Sequence, residues 1–210
     1  CPSKIGRKLY ALEPGPGASP RVILDAGPKG ALGSPSVTFD GRAVLVALAK
    51  EGDAFFHIHR VPLDGSPPQA LTDGPFHDID PAELPDGRIV FTSTRLGSWE
   101  EYHQPPSRAL FTMNADGAAI RPITFTPIFD NEPKVAADGS IVFIRSDNFF
   151  DRAKVETQLH SIRPDGTRGV TVAGANVGAE YGSRLRRFGY GSPAPLPDGR
   201  LAFVSNQGNF

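Results

Sequence analysis

Short apolar runs recur along the chain, each entered through an Asp-Gly pair. Arg42-Ala43-Val44-Leu45, Arg88-Ile89-Val90-Phe91, Ser140-Ile141-Val142-Phe143 and Arg200-Leu201-Ala202-Phe203 follow Asp40-Gly41, Asp86-Gly87, Asp138-Gly139 and Asp198-Gly199. Each of these aspartates lies five residues after a proline (Pro35, Pro81, Pro133, Pro193), so P-x-x-x-x-D-G occurs four times. An Asp-Gly pair between β-prone runs is a strong short-range signal for a hairpin turn. The pattern predicts an extended strand, a tight turn and a second strand at each occurrence.

A second Asp-Gly follows within the first three units, at Asp64-Gly65, Asp116-Gly117 and Asp165-Gly166. Apolar residues stand six before it (Ile58, Leu110, Leu159), three before it (Val61, Met113, Ile162) and seven after it (Leu71, Ile123, Val172). The opening segment fits this half-pattern, with Gly15 at the turn, Leu9 and Leu12 before it and Val22 after it. Each unit therefore reads as four strands, with Asp-Gly turns joining first to second and third to fourth, and a variable loop between. Successive first-turn aspartates are 46, 52 and 60 residues apart, and four short strands per unit of that length predict a β-propeller.

The expected fold is all-β, a propeller of four-stranded blades with three complete repeats and two half-repeats. The units run over about 33–72, 80–124 and 132–172, with half-blades at about 1–30 and 191–210, all in one domain. Closing one blade from the two halves gives a four-bladed ring without open sheet edges. The alternative is an excerpt of a larger ring.

Composition narrows the function classes. With 22 basic and 23 acidic side chains the formal net charge is -1, which gives no global attraction to nucleic acid or an anionic membrane. Glycine (23) and proline (21) are abundant because turns consume them. The longest apolar run, Ala43–Ala49, falls far short of the roughly 20 residues a spanning helix needs. The single cysteine, Cys1, excludes an internal disulfide and a C-x-x-C-H haem site within these residues. Its position has three readings: the lipidated residue of a mature lipoprotein, an arbitrary fragment end, or a cloning boundary.

The segments Asp80-Pro81-Ala82-Glu83-Leu84-Pro85-Asp86-Gly87-Arg88-Ile89-Val90-Phe91-Thr92-Ser93 and Leu110-Phe111-Thr112-Met113-Asn114-Ala115-Asp116-Gly117 resemble the repeat of TolB-type β-propellers. Phe129-Asp130-Asn131-Glu132-Pro133, Arg145-Ser146 and Pro164-Asp165-Gly166-Thr167 are similar to the propeller of hydrazine-synthase alpha-subunit-like proteins. The first resemblance implies an extracytoplasmic, periplasmic-type binding module. The second implies a propeller that accompanies haem domains, but no haem motif lies in this sequence and no cofactor is expected.

All Asp-Gly turns of the repeat fall on one face, so the long irregular connections, 94–108, 145–158 and 173–191, fall on the other. Variable loops on a rigid scaffold are where binding residues gather. Asp80 and Glu132 directly precede the proline of an inner strand and are expected at the mouth of the central channel, with Asp78 and Asp130 nearby. Carboxylates there suit a hard cation, but the equivalent places hold Ser34 and Ser192 and no metal is assigned. Trp99, Glu100, Tyr102 and His103 combine aromatic and charged groups suited to a sugar or protein contact. Phe150, Asp151 and Arg184 complete the candidate binding set. His57 and His59 share a strand face, yet His59 takes the place held by Tyr10, Phe111 and His160 in the other units, which is expected to be a packing slot for a flat ring. His77-Asp78 has no neighbouring nucleophile, and no G-x-S-x-G, P-loop or H-E-x-x-H occurs.

The expected function is a non-catalytic extracytoplasmic scaffold that binds a protein or carbohydrate through its long-loop face. Nucleic acid is not an expected partner, and a membrane is reached only through lipid on Cys1. The competing expectation is an accessory propeller of a larger enzyme, either a haem-containing complex or a propeller-gated serine peptidase.

Overall fold

The computed structural model describes residues 5–100, 104–146, 157–173 and 188–207. The described residues are all-β and hold no helix. The first complete blade is β4 (Ala31–Val37), β5 (Ala43–Ala49), β6 (His57–Pro62) and β7 (Gln69–Ala70), paired in that order. The second is β8 (Asp78–Glu83), β9 (Ile89–Ser93), β10 (Ala109–Met113) and β11 (Arg121–Pro122). The third is β12 (Phe129–Val135), β13 (Ile141–Ser146), β14 (Thr157–Ile162) and β15 (Val170–Ala173). Two antiparallel hairpins flank them: β2 (Lys8–Ala11) with β3 (Arg21–Asp25), and β16 (Phe188–Pro195) with β17 (Leu201–Gln207). Among the described residues the two hairpins form separate sheets and do not pair with each other. One further strand was not foreseen: β1 (Ile5–Gly6) pairs with β4 along its inner edge and makes the first blade five-stranded.

Sandwiching each blade between neighbours explains why its central strands read as nearly continuous apolar runs. All seven residues of β5 and all five of β9 and β10 are buried. Alternate residues serve opposite seams, because successive side chains of a strand point to opposite faces. Leu45, Ala47 and Ile58 pack with Ile89, Phe91, Ala109, Phe111 and Met113 between the first and second blades. Val90 and Leu110 point the other way and pack with Ile141, Phe143 and Ile162 of the third blade. Val44, Val46, Leu48 and Val61 pack with Leu9 and Ala26 of the opening segment.

Register corrects one equivalence drawn from the sequence. In the second and third blades the turn closes over four residues' separation, with the Leu84 N–H on the Arg88 carbonyl and the Ala136 N–H on that of Ser140. In the first blade the Thr38 N–H reaches the Ala43 carbonyl instead, one residue further on. Val44, not Ala43, therefore takes the place of Ile89. The extra residue follows Gly41, and without that correction every side chain of β5 would face the wrong seam.

Candidate functional site

The inner strands β4, β8, β12 and β16 each carry a β-bulge next to the proline of the repeat. The residue before each proline sits in the left-handed region: Ser34, Asp80 and Glu132 at φ 53° and Ser192 at φ 51°. Four non-glycine residues held in this sparsely populated conformation at equivalent places show that the fold imposes it. Ser34, Asp80 and Glu132 line one cavity. Ser34 Oγ donates to Asp80 Oδ1, and the Glu132 N–H donates to Asp80 Oδ2 at 3.2 Å. Asp80 thereby ties together three successive blades.

Around these bulges opens a cavity of about 450 Å³ on the long-loop face. Asp80, Glu132, Arg108 and His77 bring charge and polarity to it, while Phe56, Ile79, Ile144 and Tyr190 supply apolar wall. Arg108 Nη1 donates to Asn131 Oδ1 at 3.2 Å, and its guanidinium stands 5.8 Å from the centre of the Phe129 ring. The Phe56 N–H approaches His77 Nδ1 at 3.4 Å, which makes Nε2 the hydrogen-bearing nitrogen of the neutral ring. Burial first, and the Arg108 charge second, hold His77 below the ordinary histidine pKa, so it is neutral at pH 7.

Asp80 and Glu132 line this cavity. Asp78 and Asp130 do not. Both are fully buried. Asp78 accepts from Ser93 Oγ at 2.6 Å and from Arg95 Nε at 3.0 Å and Nη2 at 2.7 Å. Asp130 accepts from Arg145 Nε at 2.7 Å and Nη2 at 2.8 Å. These forked pairs lock the inner strand to the second, and removing one partner of such a buried pair costs about 3–5 kcal/mol. Sequence reasoning missed the arginines because they come from non-equivalent places: Arg145 lies opposite Asp130 in the ladder, whereas Ser93 lies opposite Asp78 and Arg95 reaches back.

In the loop after β9, Trp99 bridges to Pro106 yet stays 60% exposed. Glu100 beside it is buried, and its N–H donates to the Pro105 carbonyl at 3.0 Å. The loop therefore presents the indole and tucks the carboxylate beneath. Tyr102, His103, Phe150, Asp151, Arg184 and Cys1 lie outside the described residues. His59 is buried, with Nδ1 3.1 Å from the His57 carbonyl, to which it donates. Among the described residues no three His, Cys, Asp or Glu side chains converge as metal ligands. Also unforeseen are Thr72 and Thr124, whose hydroxyls each accept the N–H of a third-strand residue, Ile58 and Leu110, at 2.9 Å. Their equal offset after Asp64 and Asp116 was the available signal.

Solved structures share this fold. A putative TolB from Agrobacterium tumefaciens matches with a TM-score of 0.59 and 22% identity, over 72% of this chain and 51% of that one. In fold, the chain is a TolB-like β-propeller. The propeller is also similar to hydrazine synthase from Kuenenia stuttgartiensis, with a TM-score of 0.66 and 15% identity over 90% of this chain and 37% of that one. A puromycin hydrolase matches with a TM-score of 0.62 and 23% identity, over 95% of this chain and 32% of that one. The propeller spans about half or less of each of these chains. No protein-family model and no curated protein matches the sequence.

Proposed function

We propose that this propeller is a non-catalytic binding module that works outside the cytoplasm and engages a protein or carbohydrate partner through its long-loop face. The observation that carries this reading is the outward Trp99, 60% exposed on a loop whose neighbouring carboxylate is buried. A large aromatic held in water by a braced loop is a common anchor of a binding surface. The channel mouth opens on the same face, while the Asp-Gly face is made of short turns. The extracytoplasmic part of the reading draws on the TolB likeness alone.

The test places a photo-cross-linking residue at position 99, and separately at Asp64 and Asp165 on the turn face, in the native organism. Capture of one identified partner from position 99 but not from the turn positions supports the reading. Equal capture from the turn face rejects it, as does full partner binding after alanine replacement of Trp99, Tyr102 and Phe150. Loss of binding on that replacement supports it.

A second reading, an accessory propeller of a larger enzyme, is favoured by one observation. The chain covers only 37% and 32% of the hydrazine synthase and puromycin hydrolase chains that it resembles in fold. A C-x-x-C-H or G-x-S-x-G motif in the coding sequence adjoining this segment supports it, and unrelated sequence on both sides argues against it.

A further inference from the structure

We infer that the channel mouth is a site for a free α-amino acid with an apolar side chain. The inference rests on the binding-module reading and assigns ligand chemistry to the cavity on that face. Its volume, about 450 Å³, falls in the range of small-molecule sites, roughly 300–1,000 Å³. The lining pairs opposite charges at one place. Asn131 and Glu132 are consecutive residues of the β12 bulge: the Asn131 side chain holds the Arg108 guanidinium, and the Glu132 N–H holds the Asp80 carboxylate. A cationic and an anionic handle are thereby anchored by adjacent residues. An α-amino acid carries its ammonium and carboxylate on one carbon and matches that juxtaposition.

Each handle keeps capacity for a ligand. A carboxylate has about four acceptor positions, and at Asp80 the Ser34 hydroxyl and the Glu132 N–H take one on each oxygen. A guanidinium has five N–H donors in a fork suited to a carboxylate. One of those of Arg108 is directed to Asn131, and Arg108 lines the cavity. His77 lines the same cavity as a neutral ring with its hydrogen on Nε2, a further donor for a carboxylate. Phe56, Ile79, Ile144 and Tyr190 form the wall on which an apolar side chain would rest. The left-handed bulges hold Asp80 and Glu132 before any ligand arrives, so little ordering remains to oppose binding.

Calorimetric titration of the whole chain with L-leucine, L-methionine and L-phenylalanine, each beside its methyl ester and its N-acetyl derivative, tests the assignment. The expected result is saturable binding of at least one free amino acid, with each singly charged derivative weaker by about tenfold or more, since each loses a charge-assisted hydrogen bond. Arg108→Leu should abolish the preference for the amino acid over its ester. Asp80→Asn should abolish the preference over the N-acetyl form. Because Asp80 also joins the blades, Ser146→Tyr provides an independent variant that fills the cavity from β13 and should remove binding while circular dichroism is unchanged. No binding tighter than about 1 mM for any of the three, or equal binding of all three forms, overturns the proposal. Undiminished binding by Ser146→Tyr also overturns it. The two readings fail separately: partner capture at position 99 without amino-acid binding sinks only this inference, whereas amino-acid binding with capture at the turn face sinks only the loop-face reading.

Discussion

The flat-ring place on the third strand is filled by His59, Phe111 and His160 in successive blades. His59 is 6% exposed, and the His160 ring lies 5.6 Å from that of Phe143. Burial is the leading cause that holds both below the ordinary histidine pKa of 6.5. Neighbouring charges act in both directions: Lys50 and His57 lower His59 while Asp53 raises it, and Arg145 lowers His160 while Asp130 raises it. Between the lowered folded value and 6.5 the unfolded chain binds more protons than the folded one. Stability is therefore complete above about pH 6.5 and declines as pH falls toward the folded values. Phenylalanine already fits the equivalent place in the second blade, so His59→Phe with His160→Phe should retain the packing and remove two of the titrating groups. The urea midpoint should fall between about pH 7.5 and pH 5.5 in the native chain, and fall less in the double variant. An unchanged fall would assign the pH response to other groups, such as His77.

At the level of the turn, the aspartate side chain supplies what the backbone lacks. In all seven Asp-Gly turns of the repeat the carboxylate accepts the N–H of the residue two further on, at 2.8–3.1 Å. This is why Asp-Gly recurs so strictly while its neighbours vary. The outer turns add a second constraint between blades. Gly117, at φ 89°, lies so close to the first blade that an added Cβ would stand 2.2 Å from the Leu71 carbonyl oxygen. Gly65, at φ 91°, has open space around the same position. Gly65→Ala should therefore cost only the backbone strain, about 1 kcal/mol. Gly117→Ala should cost about 3 kcal/mol or more, because the seam between two blades must part to admit a methyl group. Denaturant unfolding of the two variants compares them directly, and equal costs would show that the seam yields freely.

Across the whole molecule, the repeat made the architecture legible because turn chemistry and strand spacing are local. What stayed hidden depends on partners brought from elsewhere. The extra residue after Gly41 leaves the Asp-Gly pattern intact and shows only in the ladder. The arginines of Asp78 and Asp130 come from places that do not correspond, so comparison of repeats could not pair them. Asp80 and Glu132 were legible from the proline that follows them, whereas Arg108 and His77 lie in or beside connections without a repeat. The seams give stability a direction. Blade-to-blade contacts are nearest-neighbour, as in other repeat arrays, and among the described residues the second blade alone is covered by complete blades on both sides. Its β9 and β10 are wholly buried, while Phe203 and Val204 of β17 are 41% and 62% exposed and Val22 of β3 is 44% exposed. Amide exchange should accordingly be slowest in β9 and β10 and fastest in β3 and β17. Phe91 lies in the seam between the first two blades. Phe91→Ala should cost about 3–5 kcal/mol and speed exchange in β5 and β6 as well as β9 and β10, while β13 and β14, on the far seam, respond less. Exchange that accelerates equally in all blades would instead mean that the described array opens as one cooperative unit.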